Sequence, residues 1–137
     1  MKTIQIPSVA SEKCNTIIEF DDDSFKGISW STYLKCTTPS FTGEIKCLLE
    51  ADYVKEFIED LTIVEKERKG QCQLGYQFES AFSLAICSVD SVGHFVFELT
   101  IQDNRNSLGY NQIDSLKIAY EIEPSSLIFL LKSFQDL

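Results

Sequence analysis

From Ala81 to Ile101 the chain reads AFSLAICSVDSVGHFVFELTI. Phe82, Leu84 and Ile86 hold every second position of the first half, and Phe95, Phe97, Leu99 and Ile101 do so in the second. Successive side chains of a strand point to opposite faces, so each run puts an apolar set on one side and leaves Ser83, Cys87, Glu98 and Thr100 on the other. Asp90, Ser91 and Gly93 supply turn chemistry between them. The pattern predicts a hairpin of an antiparallel sheet with one buried face.

The neighbouring segments extend the sheet. Ile4 and Ile6 open a short strand ended by Pro7, and Thr16 to Phe20 forms a second. Asp21, Asp22, Asp23 and Ser24 make a polar turn closed by Gly27. Ile28, Trp30, Thr32, Leu34 and Cys36 alternate with polar residues, as do Phe41, Ile45, Cys47 and Leu49 beyond the turn at 37–40. These two runs read as another hairpin. Gln71 to Phe78 and Leu116 to Ile122 are further strands, and the polar run from Asp103 to Gly109 reads as a loop.

Two segments change period. Tyr53, Val54, Phe57, Ile58 and Leu61 recur at three and four, predicting a helix over about 51–64 whose other side carries Asp52, Glu56, Glu59 and Asp60. Leu127, Leu130, Leu131 and Phe134 mark a helix over about 124–136, with Glu123 as a cap and Pro124 in the first helical position. The expectation is an α+β fold: an antiparallel sheet of about six to eight strands with two helices packed on it, one domain over 1–137. Phe57, Leu61, Phe95, Phe97, Leu99, Leu127 and Leu131 are the expected core.

The net charge of -9 is concentrated towards the end: residues 71–137 hold three basic and eight acidic side chains. Such a field repels nucleic acid and anionic lipid and attracts a basic partner, although it also serves solubility alone. No apolar run approaches the roughly 18 residues that span a bilayer, and no secretory signal is visible before Ala10, so a cytoplasmic protein is expected. Cys14, Cys36, Cys47, Cys72 and Cys87 are odd in number and follow no zinc spacing beside a single histidine. They are expected to be reduced, packed as small hydrophobes.

Residues for catalysis are sparse. His94 stands alone at a strand start, no Gly-x-Ser-x-Gly elbow accompanies the serines, and no glycine-rich phosphate loop exists. The three aspartates at 21–23 lack calcium-loop spacing with its distal glutamate and read as a solvated turn. Lys66, Arg68 and Lys69 are offset by Glu65 and Glu67, so no basic stripe for nucleic acid is present. No enzyme, cofactor or metal is expected. Tyr33, Tyr53 and Tyr110 are candidates for surface aromatics.

One ordered set of features resembles a known family. Trp30 opens a strand after an Asp-rich turn, and the helix from Tyr53 carries Phe57-Ile58-Glu59-Asp60-Leu61. Phe78-Glu79-Ser80 leads into Phe82-Ser83-Leu84, Gly93-His94 starts the next strand, and Glu123 to Leu127 starts the last helix. Over residues 16–137 this order resembles the WapI-type immunity proteins, which protect bacteria from the toxic C-terminal domain of a WapA-type contact-dependent toxin. The resemblance implies a stoichiometric inhibitor with no catalytic residues. A toxin that is a nuclease presents lysine and arginine to phosphate, and acidic side chains that mimic phosphate steer association. Asp21, Asp22 and Asp23, the helix face of Glu56, Glu59 and Asp60, and the loop at Asp103 are the expected contact residues. The alternative is a small-ligand or enzymatic domain using Tyr33, Tyr120, Cys87 and His94.

Overall fold

The computed structural model describes residues 1–9, 11–21, 27–75 and 81–137, and only the backbone of 105–107 and 111. Four antiparallel strands, β1 (Lys2–Pro7), β2 (Asn15–Phe20), β3 (Ser29–Thr37) and β4 (Thr42–Glu50), form one sheet in sequential order. Helix α1 (Ala51–Glu67) leads into a second sheet of β5 (Gln71–Leu74), β6 (Phe82–Ser88), β7 (Phe95–Ser107) and β8 (Tyr110–Ile122), also sequential and antiparallel. Helix α2 (Ser126–Gln135) closes the chain. The fold is α+β, and the described residues form eight antiparallel strands, divided between two sheets, and two helices. No helix among the described residues is long and apolar enough to cross a membrane.

The two sheets meet along a row of small side chains. Ile6 pairs with Thr16, Thr16 with Cys36, and Cys36 with Gly43, so these four residues cross the first sheet from β1 to β4. The row runs beside β8. Tyr120 donates its hydroxyl hydrogen to the Ile6 carbonyl and lies 3.0 Å from Thr16 Oγ1. The Val9 amide donates to the Glu121 carbonyl at 2.9 Å. At the far end a Cβ on Gly43 would stand 2.5 Å from Leu116 Cδ2, so the missing side chain lets β4 approach β8. Strand β8 therefore passes across the strands of the first sheet rather than along them, as in orthogonal sheet packing.

The expected core residues Phe57, Leu61, Phe95, Phe97, Leu99, Leu127 and Leu131 are all buried. Phe134 of α2 joins the layers, packing edge-on against Phe57 of α1 at 4.9 Å and Phe20 of β2 at 6.4 Å between ring centroids. Trp30 is only partly buried and packs edge-on against Phe20. Ile28 and Phe41, though on the apolar parity of their runs, lie exposed beyond the strand ends.

Several boundaries move from their sequence-based positions. Helix α1 runs one turn further, to Glu67, and stops where Arg68 turns left-handed at φ 57°. The Arg68 amide donates back to the Val64 carbonyl, and its guanidinium donates to the Pro124 carbonyl at 2.9 Å, fastening the end of α1 to the start of α2. Helix α2 starts at Ser126, because Pro124 and Ser125 form a turn in which the Glu123 carbonyl accepts from the Ser126 amide and hydroxyl. Strand β5 ends at Leu74. Gly75 turns left-handed at φ 83°, and a Cβ there would meet the Phe82 carbonyl oxygen at 2.5 Å. Tyr76 and Phe78, expected in that strand, lie outside the described residues, as do Glu79 and Ser80.

The run at Asp103 is not a loop. Residues 103–107 continue β7, Ser107 pairs with Tyr110, and the turn is only Leu108 and Gly109. Both turn residues have positive φ, 53° and 73°, the sign pattern that suits a two-residue hairpin turn to the twist of its strands. Strand β6 pairs with β7 no further than Phe82 opposite Ile101. The Gln102 amide still donates to the Ala81 carbonyl at 2.8 Å, and residues 103–107 and 110–114 pair only with one another among the described residues, an arm of about 17 Å at the usual rise per residue.

Candidate functional site

Helix α1 buries Val54, Phe57, Leu61 and Val64, and this spacing turns Asp52, Glu56, Glu59 and Asp60 outward. The helix carries six acids against two lysines. Glu56 and Asp60, one turn apart, line a cleft of about 230 Å³ against β5, together with Tyr53, Gln71, Cys72 and Gln73. Glu59 is exposed outside the cleft. Burial pushes the Cys72 thiol up to about 12, with Asp60 and Cys87 adding to the rise, so it stays protonated and unreactive at neutral pH.

The second acidic site is a groove of about 560 Å³ between β4 and the start of the β7–β8 arm. Asp103 stands opposite Asp114 in the ladder, and both line the groove. Ile45, Ile101 and Leu116 also line it: Ile101 is buried, while Ile45 and Leu116 are partly exposed. Glu44 and Lys46 form the β4 wall, but their side chains turn to Tyr33 on the outer face. Tyr33 donates its hydroxyl hydrogen to Glu44 at 2.5 Å, and the Lys46 ammonium sits 6.0 Å from the Tyr33 ring centroid. This bond to a carboxylate holds the Tyr33 hydroxyl above its usual range.

Asp21 follows the end of β2, where its amide donates to the Ser31 carbonyl at 3.0 Å. Asp22 and Asp23 lie outside the described residues, so the expected three-aspartate surface is placed only at its first member. The structure thus brings Glu56 and Asp60 to one cleft, and Asp103 to another site beside Asp114. Asp114 escaped the sequence reading. The signal available was Gly109: a two-residue turn there pairs residues whose numbers sum to 217, which sets Asp103 against Asp114.

The residues considered for small-molecule chemistry do not converge. Tyr33 lies on the outer face of the first sheet, and Tyr120 is buried between the sheets. Cys87 lies at the outer side of the second sheet near Gln71, and His94 belongs to the β6–β7 connection. His94 Nδ1 is 2.6 Å from Asp90 Oδ2, while Asp90 Oδ1 accepts from the Val92 and His94 amides at 3.0 and 3.2 Å. Those contacts lower the Asp90 carboxyl and raise His94, each chiefly through their shared hydrogen bond. The pair closes the loop and is exposed. All five cysteines are free thiols, with burial raising Cys36, Cys47, Cys72 and Cys87. Among the described residues no group of three or more His, Cys, Asp and Glu is set to hold a metal ion. Comparison with known proteins adds no family: no family model matches the chain, and no curated protein or solved structure does.

Proposed function

We propose that this protein is a non-catalytic inhibitor that binds and neutralises a basic toxin domain, in the manner of the WapI-type immunity proteins it resembles. The observation that carries the reading is the exposed face of α1. Asp52, Glu56, Glu59 and Asp60 stand on a helix anchored from behind by four buried apolar side chains. A rigid acidic face positions charge in advance, which favours fast and selective capture of a basic surface. The net charge of -9 acts in the same direction at longer range. The small-ligand alternative has less support, because Tyr33, Tyr120, Cys87 and His94 are spread over separate faces.

The test is co-expression with the toxic domain encoded beside it. Cells making the intact protein survive on this reading. Cells making the triple variant Glu56→Lys, Glu59→Lys and Asp60→Lys lose protection while the purified variant keeps its fold by circular dichroism. Death of cells that hold the intact protein at excess overturns the reading.

A further inference from the structure

The outer face of the second sheet buries two hydroxyl side chains that strand alternation turns away from the core. Strands β6, β7 and β8 point Leu84, Leu99 and Ile118 inward, so Ser83, Thr100 and Lys117 stand on the opposite face. Yet Ser83 is only 8% exposed and Thr100 only 9%. Ser83 faces Thr100 across β6 and β7, and Thr100 faces Lys117 across β7 and β8. Two residues along the ladder, Gln73, Ala85 and Glu98 make a parallel row across β5, β6 and β7. The short side chains of Ser83, Ala85 and Thr100 form the floor of a pocket of about 120 Å³, and the longer Gln73, Glu98 and Lys117 form its walls.

The polar groups of this pocket have bonding capacity to spare. No hydrogen bond joins the Ser83 or Thr100 hydroxyl to another described residue. Polar side chains buried to this degree are ordinarily hydrogen-bonded, because leaving them unpaired costs free energy. Gln73 Nε2 donates to the Gly75 carbonyl at 3.1 Å, which orients the carboxamide and leaves its oxygen as an acceptor. Glu98 and Lys117 are diagonal neighbours across β7 and β8, a placement within reach of long side chains. Among the described residues neither is held in an ion pair. The pocket therefore sets acceptors, Gln73 and Glu98, on one side and a cation, Lys117, on the other. Between them lie two hydroxyls able to donate or accept.

A ligand of one charge satisfies half of that arrangement and meets repulsion from the other half. A small zwitterion satisfies both halves. We propose that this pocket binds a free α-amino acid with a small side chain, its ammonium group donating to Glu98 and Gln73 and its carboxylate accepting from Lys117, Ser83 and Thr100. The space sets the size: about 120 Å³ has room for several water-sized groups and is well below a drug-sized cavity. Glycine, alanine and serine match it. The site goes beyond the inhibitor reading and is independent of it, since it uses none of the acids of α1.

The probe is L-alanine, titrated into the ¹⁵N-labelled full chain and followed by amide chemical shifts. The largest shifts are expected at Ser83, Ala85 and Thr100. N-acetylalanine keeps the carboxylate and loses the cation, whereas alaninamide keeps the ammonium and loses the carboxylate. Each binds about tenfold more weakly than alanine, the scale of losing one charge-assisted contact. Lys117→Gln weakens alanine binding by a similar factor, and Ser83→Ala weakens it about threefold or more, the scale of one hydrogen bond. The dispersed spectrum of each variant shows that it is folded. Equal binding of either blocked analogue overturns the zwitterion reading. Unchanged binding in both variants, shifts confined to other faces, or no shifts at tens of millimolar alanine overturn the pocket as the site. Co-expression with the toxic domain reads the α1 face alone, so either proposal fails without the other.

Discussion

Tyr120 ties the two sheets together by a polar contact inside an apolar interface. Its hydroxyl donates to the Ile6 carbonyl at a place where Tyr120, Ile6 and Thr16 are all buried. Burial also pushes its ionisation far above the usual phenol range. Tyr120→Phe keeps the ring and removes one donor from a buried carbonyl that the β1–β2 ladder also pairs with the Thr16 amide, so it is expected to cost about 0.5–1.5 kcal/mol in urea unfolding with an unchanged slope. A loss within a few tenths would mean that the hydroxyl adds nothing to the ladder bond. The exposed pair Asp90–His94 acts through pH instead. The raised His94 contributes stability that is complete below about pH 6.5 and is lost as pH rises through its folded value. The lowered Asp90 contributes above about pH 4 and loses its share as pH falls through its depressed folded value. The pair therefore supports the β6–β7 loop most between those limits. In an NMR titration His94 is expected to ionise above 6.5 in the native protein and to move back down in Asp90→Asn. An unchanged His94 titration in that variant would remove the pair's role.

At the scale of elements, legibility in the sequence tracks burial. Strands β6 and β7 up to Ile101, and both helices, bury one face, so apolar residues recur with the period of the element. The β7–β8 arm beyond Gln102 reads as a loop in the sequence because its described side chains are exposed and display no alternation of burial. Its order rests on ladder bonds and on a turn in which Leu108 holds a left-handed φ of 53°. A branched apolar residue is poorly suited to that backbone, and asparagine adopts it more readily. Leu108→Asn is expected to stabilise the arm by about 1 kcal/mol, because the left-handed conformation is costly for leucine and Asn-Gly suits such hairpin turns. A two-stranded ribbon is marginal by itself in water. Hydrogen exchange therefore reads the change directly, as slower exchange of the arm amides while the core of β6 is unaffected. Faster exchange at the arm would show that Leu108 makes a contact worth more than the backbone strain it bears. Strand β5 is shorter than its sequence suggests for a different reason: the alternation continues past Leu74, but Gly75 turns the backbone where only glycine clears Phe82.

At the scale of the whole molecule, the division into two sheets was hidden from the sequence. It depends on which edges meet after folding, and the small row of Thr16, Cys36 and Gly43 gains meaning only beside β8. The same is true of the candidate site, half of which comes from β4 and half from the arm, some sixty residues apart. Glu56 and Asp60 were legible because one helix carries both, whereas Asp103 was found without Asp114. The α1 acids are exposed and work through solvent, where screening at physiological salt cuts interactions beyond about 8 Å. Reversing Glu56, Glu59 and Asp60 together should lower the association rate with the basic toxin domain roughly tenfold or more at low salt, flatten its dependence on ionic strength, and barely change dissociation. Surface plasmon resonance across a salt series reads both rates. If the triple reversal raises the dissociation rate as much as it lowers the association rate, the α1 face is part of the bound contact and not a steering surface alone.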